Sequence, residues 1–225
     1  MINKNLPKRI ITSLFLITLL YLMFSFTYIL IISLIIISIV SWIEFYGLIL
    51  KIFTKNKFKT NFLKQFIKAL SLIYLTLFSA IIFIGITQVE PNFKINMIYL
   101  FFICIVSDIG GLSFGKYFKG KKLTRISPNK TISGSIGSFI LSLILVPFFY
   151  YFIKQFNNPL DLVILTIIVS LSCQLGDLFI SYLKRKAKVK DTGDLLPGHG
   201  GLLDRIDGML FAIPIGIFTW NFLFY

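Results

Sequence analysis

The sequence predicts an all-α, polytopic integral membrane protein of about seven transmembrane helices with a polar site on its cytoplasmic face. Three observations carry this. The 225 residues are 56% hydrophobic with a mean hydropathy of +0.86, above the roughly 45–50% apolar content of ordinary soluble domains. The apolar runs, broken where charge clusters, each come near the ~20 residues that a helix needs to cross about 30 Å of hydrocarbon. Lys and Arg concentrate in alternate loops between those runs.

The first predicted span, 10–25, follows Lys4, Lys8 and Arg9. A cleaved signal peptide is the rival reading. The apolar core is too long for one and has no small-residue cleavage site, so a retained first helix is expected. From 10 to 50 the only charge is Glu44, and no Gly or Pro precedes Gly47. That run is too long for one span, which predicts a tight hairpin at Ser25–Thr27 and a second span over 28–49. The remaining spans are 66–87, 95–117, 132–153, 160–183 and 206–224. With the N-terminus in the cytoplasm, Lys94 and Lys154 are the only two of the 23 Lys and Arg placed outside. An odd number of spans then puts the C-terminus outside. No stretch between spans is long enough for a separate soluble domain. We read one membrane-embedded domain over 1–225, with N-terminal helices in 1–95 and the catalytic helices and loops in 96–225.

A net charge of +14 is compatible with nucleic acid, but these cations sit in short loops beside apolar helices. Anionic headgroups and phosphorylated substrates are the expected partners, and nucleic acid is not. Cys104 and Cys173 fall within spans without C-x-x-C spacing, so neither a disulfide framework nor a zinc site is expected.

Twelve of the fifteen glycines lie in two windows, around 110–137 and 176–208, which also hold six of the nine carboxylates. Small residues alone signal close helix packing in lipid, whereas glycine beside charge signals backbone approaching a ligand. In the first window Asp108, Gly111 and Gly115 fall at i, i+3 and i+7, a smooth stripe open to a chain or nucleotide. Ser127, Pro128, Lys130 and Thr131 then precede a helix whose free N–H groups suit an anion. A solvated loop capped by Ser127 or Thr131 is an equal reading. In the second window Asp177, Ser181 and Lys184 share a helix face, and Asp204 and Asp207 stand at i, i+3 where the last span begins. Carboxylates at such depth are functional candidates by default; the alternatives are pairing of Asp177 with Lys184 or Arg185, and helix N-terminal roles for Asp204 and Asp207. His199, the only histidine, sits among glycines in P-G-H-G-G, suited to a phosphate contact, a metal or proton transfer.

Carboxylates at two helix ends beside many cations suit phosphoryl or nucleotidyl transfer, because Mg²⁺ takes few protein ligands and lets substrate phosphates complete its shell. No Walker A sequence is present. The segment Ser181–Asp207 resembles the signature of the membrane-embedded phosphatidate cytidylyltransferases, or CDP-diacylglycerol synthases. Ser181, Lys184, Arg185, Lys190, Asp191, Gly193, Pro197, His199, Gly200, Gly201, Asp204, Arg205 and Asp207 are in register. Upstream, Asp108, Gly115, Lys116, Ser127, Pro128, Lys130, Thr131, Gly134, Gly176 and Asp177 also match the family's pattern. Ser133 and Ile180 stand where the family commonly has acidic residues, and Gly111 with Leu112 where a small residue and tyrosine are usual.

The resemblance implies that CTP and phosphatidate give CDP-diacylglycerol and pyrophosphate with Mg²⁺. It implies Asp177 and Asp204 as metal ligands, with Asp207 next. It places Lys184, Arg185, Lys190 and Arg205 on phosphates of CTP or lipid. Asp108, Ser127, Lys130, Thr131, Ser181, Asp191, His199, Gly200 and Gly201 complete the substrate site. It further implies a homodimer, and compact size with this topology points to a bacterial inner membrane. A CTP-using lipid-alcohol kinase and an anion transporter are the rival functions.

Overall fold

The computed structural model describes residues 6–53, 58–88, 91–124, 126–127, 130–152, 158–198 and 200–224. Among the described residues there are seven helices and no strand: α1 (Leu6–Ser25), α2 (Thr27–Ile52), α3 (Phe58–Thr87), α4 (Pro91–Phe118), α5 (Ile132–Phe152), α6 (Pro159–Lys186) and α7 (Leu203–Phe224). Lipid leaves a backbone no water to bond, so apolar runs of this length satisfy their N–H and C=O groups internally as helices. From α2 to α7 the helices are long and apolar enough to cross a membrane, while the apolar part of α1, Ile10–Ser25, is shorter. The protein is a multi-pass membrane protein with six such helices among the described residues, one fewer than the expected seven. The break expected near Ser25–Thr27 falls at Phe26, a single extended residue (φ −129°, ψ 115°) between α1 and α2.

The chain divides into two compact units that interleave along the sequence: 1–87 with 183–206, and 88–182 with 207–225. The segment 183–206 therefore groups with the N-terminal helices.

In the first unit α2 packs on α1 and α3. Ser38 and Ser79 share a hydrogen bond of 2.6 Å between α2 and α3, a polar contact that lipid cannot replace. Near the charged end of α3, the Lys68 ammonium lies 5.1 Å from the Trp42 ring centre and 4.8 Å from that of Tyr46. Trp42 donates its indole N–H to the Lys68 carbonyl at 3.1 Å. On α2 the exposed Ile32, Ile35, Ile36, Ile39 and Ile43 recur at helical spacing, a lipid-facing stripe.

The second unit is built on the α4–α5 pair. A Cβ at Gly110 would lie 2.5 Å from the Gly137 carbonyl oxygen, and one at Gly134 would lie 2.6 Å from that of Gly111. The helices approach so closely that only glycine fits. Buried hydroxyls join the same core. Ser138 donates to the Ser107 carbonyl at 2.7 Å, Ser107 and Ser170 share a bond of 3.0 Å, and Tyr99 and Thr166 one of 2.5 Å. Between α6 and α7 the same device recurs, since a Cβ at Gly176 would meet the Asp207 carbonyl at 2.6 Å.

Candidate functional site

Each unit carries its own cluster of sequence-predicted site residues. In the first unit α6 ends at Lys186, and Lys188 takes a left-handed conformation (φ 56°). Val189 N–H bonds back to the Lys184 carbonyl at 3.0 Å, so the chain leaves the helix in a tight C-terminal turn. Farther on, Leu196 and Gly200 exchange backbone hydrogen bonds of 2.9 and 3.1 Å. They close a turn in which Gly198 (φ 77°) and Gly200 (φ 84°) adopt conformations that favour glycine. His199 lies outside the described residues, as does Pro128.

Asp204, in the first turn of α7, is the centre of this cluster. Its Oδ1 accepts from Lys184 Nζ at 2.6 Å, and its Oδ2 accepts from the N–H groups of Thr192 (2.8 Å) and Gly201 (3.1 Å). The side chains of the Lys184–Asp204 pair are only 12% and 5% exposed. Such a pair persists because further donors satisfy the carboxylate. The Asp204 carboxylate thus joins the end of α6, the connecting loop and the start of α7, and both of its oxygens are engaged.

Glu44 completes the cluster, and no role was expected for it. From the C-terminal third of α2 its Oε1 accepts from Leu202 N–H at 3.0 Å, and its Oε2 from Leu203 N–H at 2.8 Å and the Thr192 hydroxyl at 2.7 Å. That hydroxyl also lies 3.0 Å from Asp204 Oδ2; its one proton serves one carboxylate at a time. Leu202 occupies the position where Ser, Thr, Asp or Asn would cap α7 and has no acceptor of its own. A lone carboxylate within an apolar run is the signal that points to Glu44, since it is costly unless it finds donors.

A cavity of about 400 Å³ opens beside this cluster, lined by Lys190, Asp191, Asp194, Leu196, Pro197, Gly198, Gly200 and Arg205. Lys190, Asp191 and Arg205 are exposed, as is Arg185. The lining holds two cations, two carboxylates and two glycines; Lys190 and Arg205 suit a phosphate, and the glycines allow close backbone approach.

In the second unit Asp177 pairs with Lys130, with side chains 30% and 25% exposed, and accepts from Ser181 Oγ at 3.2 Å. The expected alternatives of pairing Asp177 with Lys184 or Arg185 give way to Lys130. The loop that carries Lys130 is shaped by left-handed Lys119 (φ 53°) and Gly120 (φ 92°). Two backbone bonds close it, Leu123 N–H to the Lys130 carbonyl (2.8 Å) and Ile132 N–H to the Lys121 carbonyl (3.0 Å). Ser127 accepts Lys130 N–H at its carbonyl, 3.1 Å away. Thr131 Oγ1 accepts from Gly134 N–H at 3.1 Å, so Thr131 is the N-cap of α5. Asp108 Oδ1 lies 3.8 Å from Cys173 Sγ. Gly208, whose N–H bonds to Asp207 Oδ1 at 2.8 Å, packs on Cys173. Asp108 on α4 and Gly208 on α7 therefore both meet α6 at Cys173.

Of the stripe Asp108–Gly111–Gly115, Asp108 is exposed, but the two glycines are packed on, which corrects the sequence reading at those positions. A Cβ at Gly111 would lie 3.0 Å from Ser138 Oγ and one at Gly115 3.1 Å from Thr131 Oγ1, because α5 covers the glycines. Among the described residues no three His, Cys, Asp or Glu side chains form a group able to hold a metal. Mg²⁺ needs only one or two carboxylates when phosphates complete its shell. Asp177, held by one partly exposed cation and one hydroxyl, fits that need. Asp204, both oxygens bonded to donors, does not fit it in this arrangement.

Residues 1–223 match the family model described as the cytidylyltransferase family. The chain is 47% identical over 121 residues to a phosphatidate cytidylyltransferase of Staphylococcus haemolyticus, across 53% of this chain and 46% of that one. It is 42% identical over 126 residues to the enzyme of that name from Bacillus subtilis, with the same shares covered. It is 39% identical over 146 residues to that of Rickettsia typhi, across 61% of this chain and 62% of the relative. The chain spans about half the length of the first two of these curated relatives. Because the family match runs over nearly all of its residues, the chain belongs to the cytidylyltransferase family.

Proposed function

We propose that the protein makes CDP-diacylglycerol from CTP and phosphatidate, releasing pyrophosphate, at the cytoplasmic face of a bacterial inner membrane. The observation that carries this reading is the charged cavity lined by Lys190 and Arg205 with Asp191 and Asp194, built from a segment in register with the family's signature. It stands beside buried charges at the ends of membrane-length helices. Relatives similar to about half of this chain bear the name of that enzyme.

In this reading a phosphatidate oxygen attacks the α-phosphorus of CTP, a P–O bond forms, and the bond to pyrophosphate breaks. The attacking phosphate is already ionised, so no base is required and charge placement dominates. In the first unit Lys190 and Arg205 bind the triphosphate and draw off charge from the departing pyrophosphate, Arg205 with the geometry for two parallel bonds. The exposed Arg185 meets lipid phosphate, while Lys184 and Asp204 hold the helix ends that carry these groups. In the second unit Lys130 and Ser181 orient Asp177, which would hold Mg²⁺ with Asp207. Bound there, Mg²⁺ would offset charge on a phosphate held in that unit. The lipid tails stay among the helices and CTP arrives from water, with the high Lys and Arg content of that face drawing anions to it.

The test supplies the purified full chain in lipid nanodiscs with CTP, phosphatidate and Mg²⁺. CDP-diacylglycerol and pyrophosphate in equal amounts support the reading, and a chelator should stop the reaction. CDP with a phosphorylated lipid alcohol, formed from CTP and that alcohol, would instead mark a kinase. Failure of the folded chain to form CDP-diacylglycerol would reject the proposal.

A further inference from the structure

We propose that Glu44 is a positioning residue that clamps both ends of the 192–203 loop and so shapes the cavity. The geometry is that of a staple: one carboxylate takes the Thr192 hydroxyl at the loop's start and the Leu202 and Leu203 N–H groups at its end. A second, independent observation agrees. A Cβ at Gly193 would lie 2.7 Å from Glu44 Oε1, and one at Gly201 would strike both Glu44 Oε2 and the Thr192 hydroxyl. These two glycines, which in sequence read as room for a ligand, are room for Glu44. The carboxylate also sits at the N-terminal end of the α7 dipole, where negative charge is favoured. Its donors Thr192, Leu202 and Leu203 are not among the cavity-lining residues, so it acts through the backbone that carries Gly198 and Gly200 and through the start of α7, which carries Arg205.

The effect on turnover rests on the function proposed above; the anchoring does not. The experiment therefore has two readouts on the full chain in nanodiscs, comparing wild type with Glu44→Gln, Glu44→Asp and Thr192→Val. Hydrogen exchange of the 192–204 amides should quicken roughly tenfold or more in Glu44→Gln, the range expected when charge-assisted bonds are lost. Exchange in α4 and α5 should stay unchanged. Glu44→Asp and Thr192→Val, which remove less, should fall between, and they remain informative if Glu44→Gln does not fold. In turnover, Glu44→Gln should raise KM for CTP about tenfold and leave KM for phosphatidate unchanged. Unaltered loop exchange in all three variants would overturn the proposal, as would a drop in kcat with KM for CTP unmoved, the mark of fewer folded molecules. If wild type turns over no CTP, the functional reading falls and loop exchange alone decides this one.

Discussion

Where α4 meets α5, glycines 110, 111, 134 and 137 stand at places where helix lies against helix; in the 190–203 loop, glycines 193 and 201 stand where backbone lies against a carboxylate. The carboxylates of the two regions differ in the same sense. Asp204 spends both oxygens on a buried ammonium and backbone donors of its own loop, while Asp177 keeps one partly exposed cation and one hydroxyl. One region is a knot whose charges satisfy each other; the other holds charge on a tightly packed scaffold and keeps it partly open. Residues that look alike in a one-dimensional pattern therefore do different work, and the partner, not the residue type, decides which.

Substitutions can break this contrast. The largest loss of stability is expected for Asp204→Ala, which strands the buried Lys184 ammonium and two backbone donors. Removing one partner of a buried pair costs about 3–5 kcal/mol, to be measured by chemical unfolding in detergent. A loss under about 1 kcal/mol would mean that the knot is not what holds α6 to α7 at this end. Next comes Gly110→Ala, whose added carbon meets unyielding Gly137 backbone, for about 1–3 kcal/mol of overpacking in the same measurement. The smallest stability change belongs to Asp177→Asn, at most about 1 kcal/mol because its ion pair is partly solvated. Its turnover should nonetheless fall roughly 10²-fold or more, as when a group that stabilises developing charge is removed. An Asp177→Asn protein as unstable as Asp204→Ala would erase the distinction drawn here.

Much of this was legible in the sequence. The last six spans and the break beside Ser25 follow from hydropathy and length, because lipid leaves the backbone no alternative to helix. The polar segment from Ser181 to Asp207 stood out for the same reason, its charge out of place among apolar neighbours. What could not be read is which charge finds which partner. Asp177 takes Lys130 from a loop 47 positions upstream, and Glu44 reaches donors more than 140 positions away. Contacts so far apart in the chain depend on how helices pack, which local periodicity does not encode. The stripe of Gly111 and Gly115 was misread for a related cause: a smooth face admits a helix as readily as a ligand.

The most direct test of the account is product formation by wild type and Asp177→Asn side by side, in nanodiscs with CTP, phosphatidate and Mg²⁺. Wild type should give CDP-diacylglycerol and pyrophosphate in equal amounts, and an Asp177→Asn protein that unfolds at nearly the same denaturant concentration should give next to none. Full product from Asp177→Asn, or none from well-folded wild type, would contradict it.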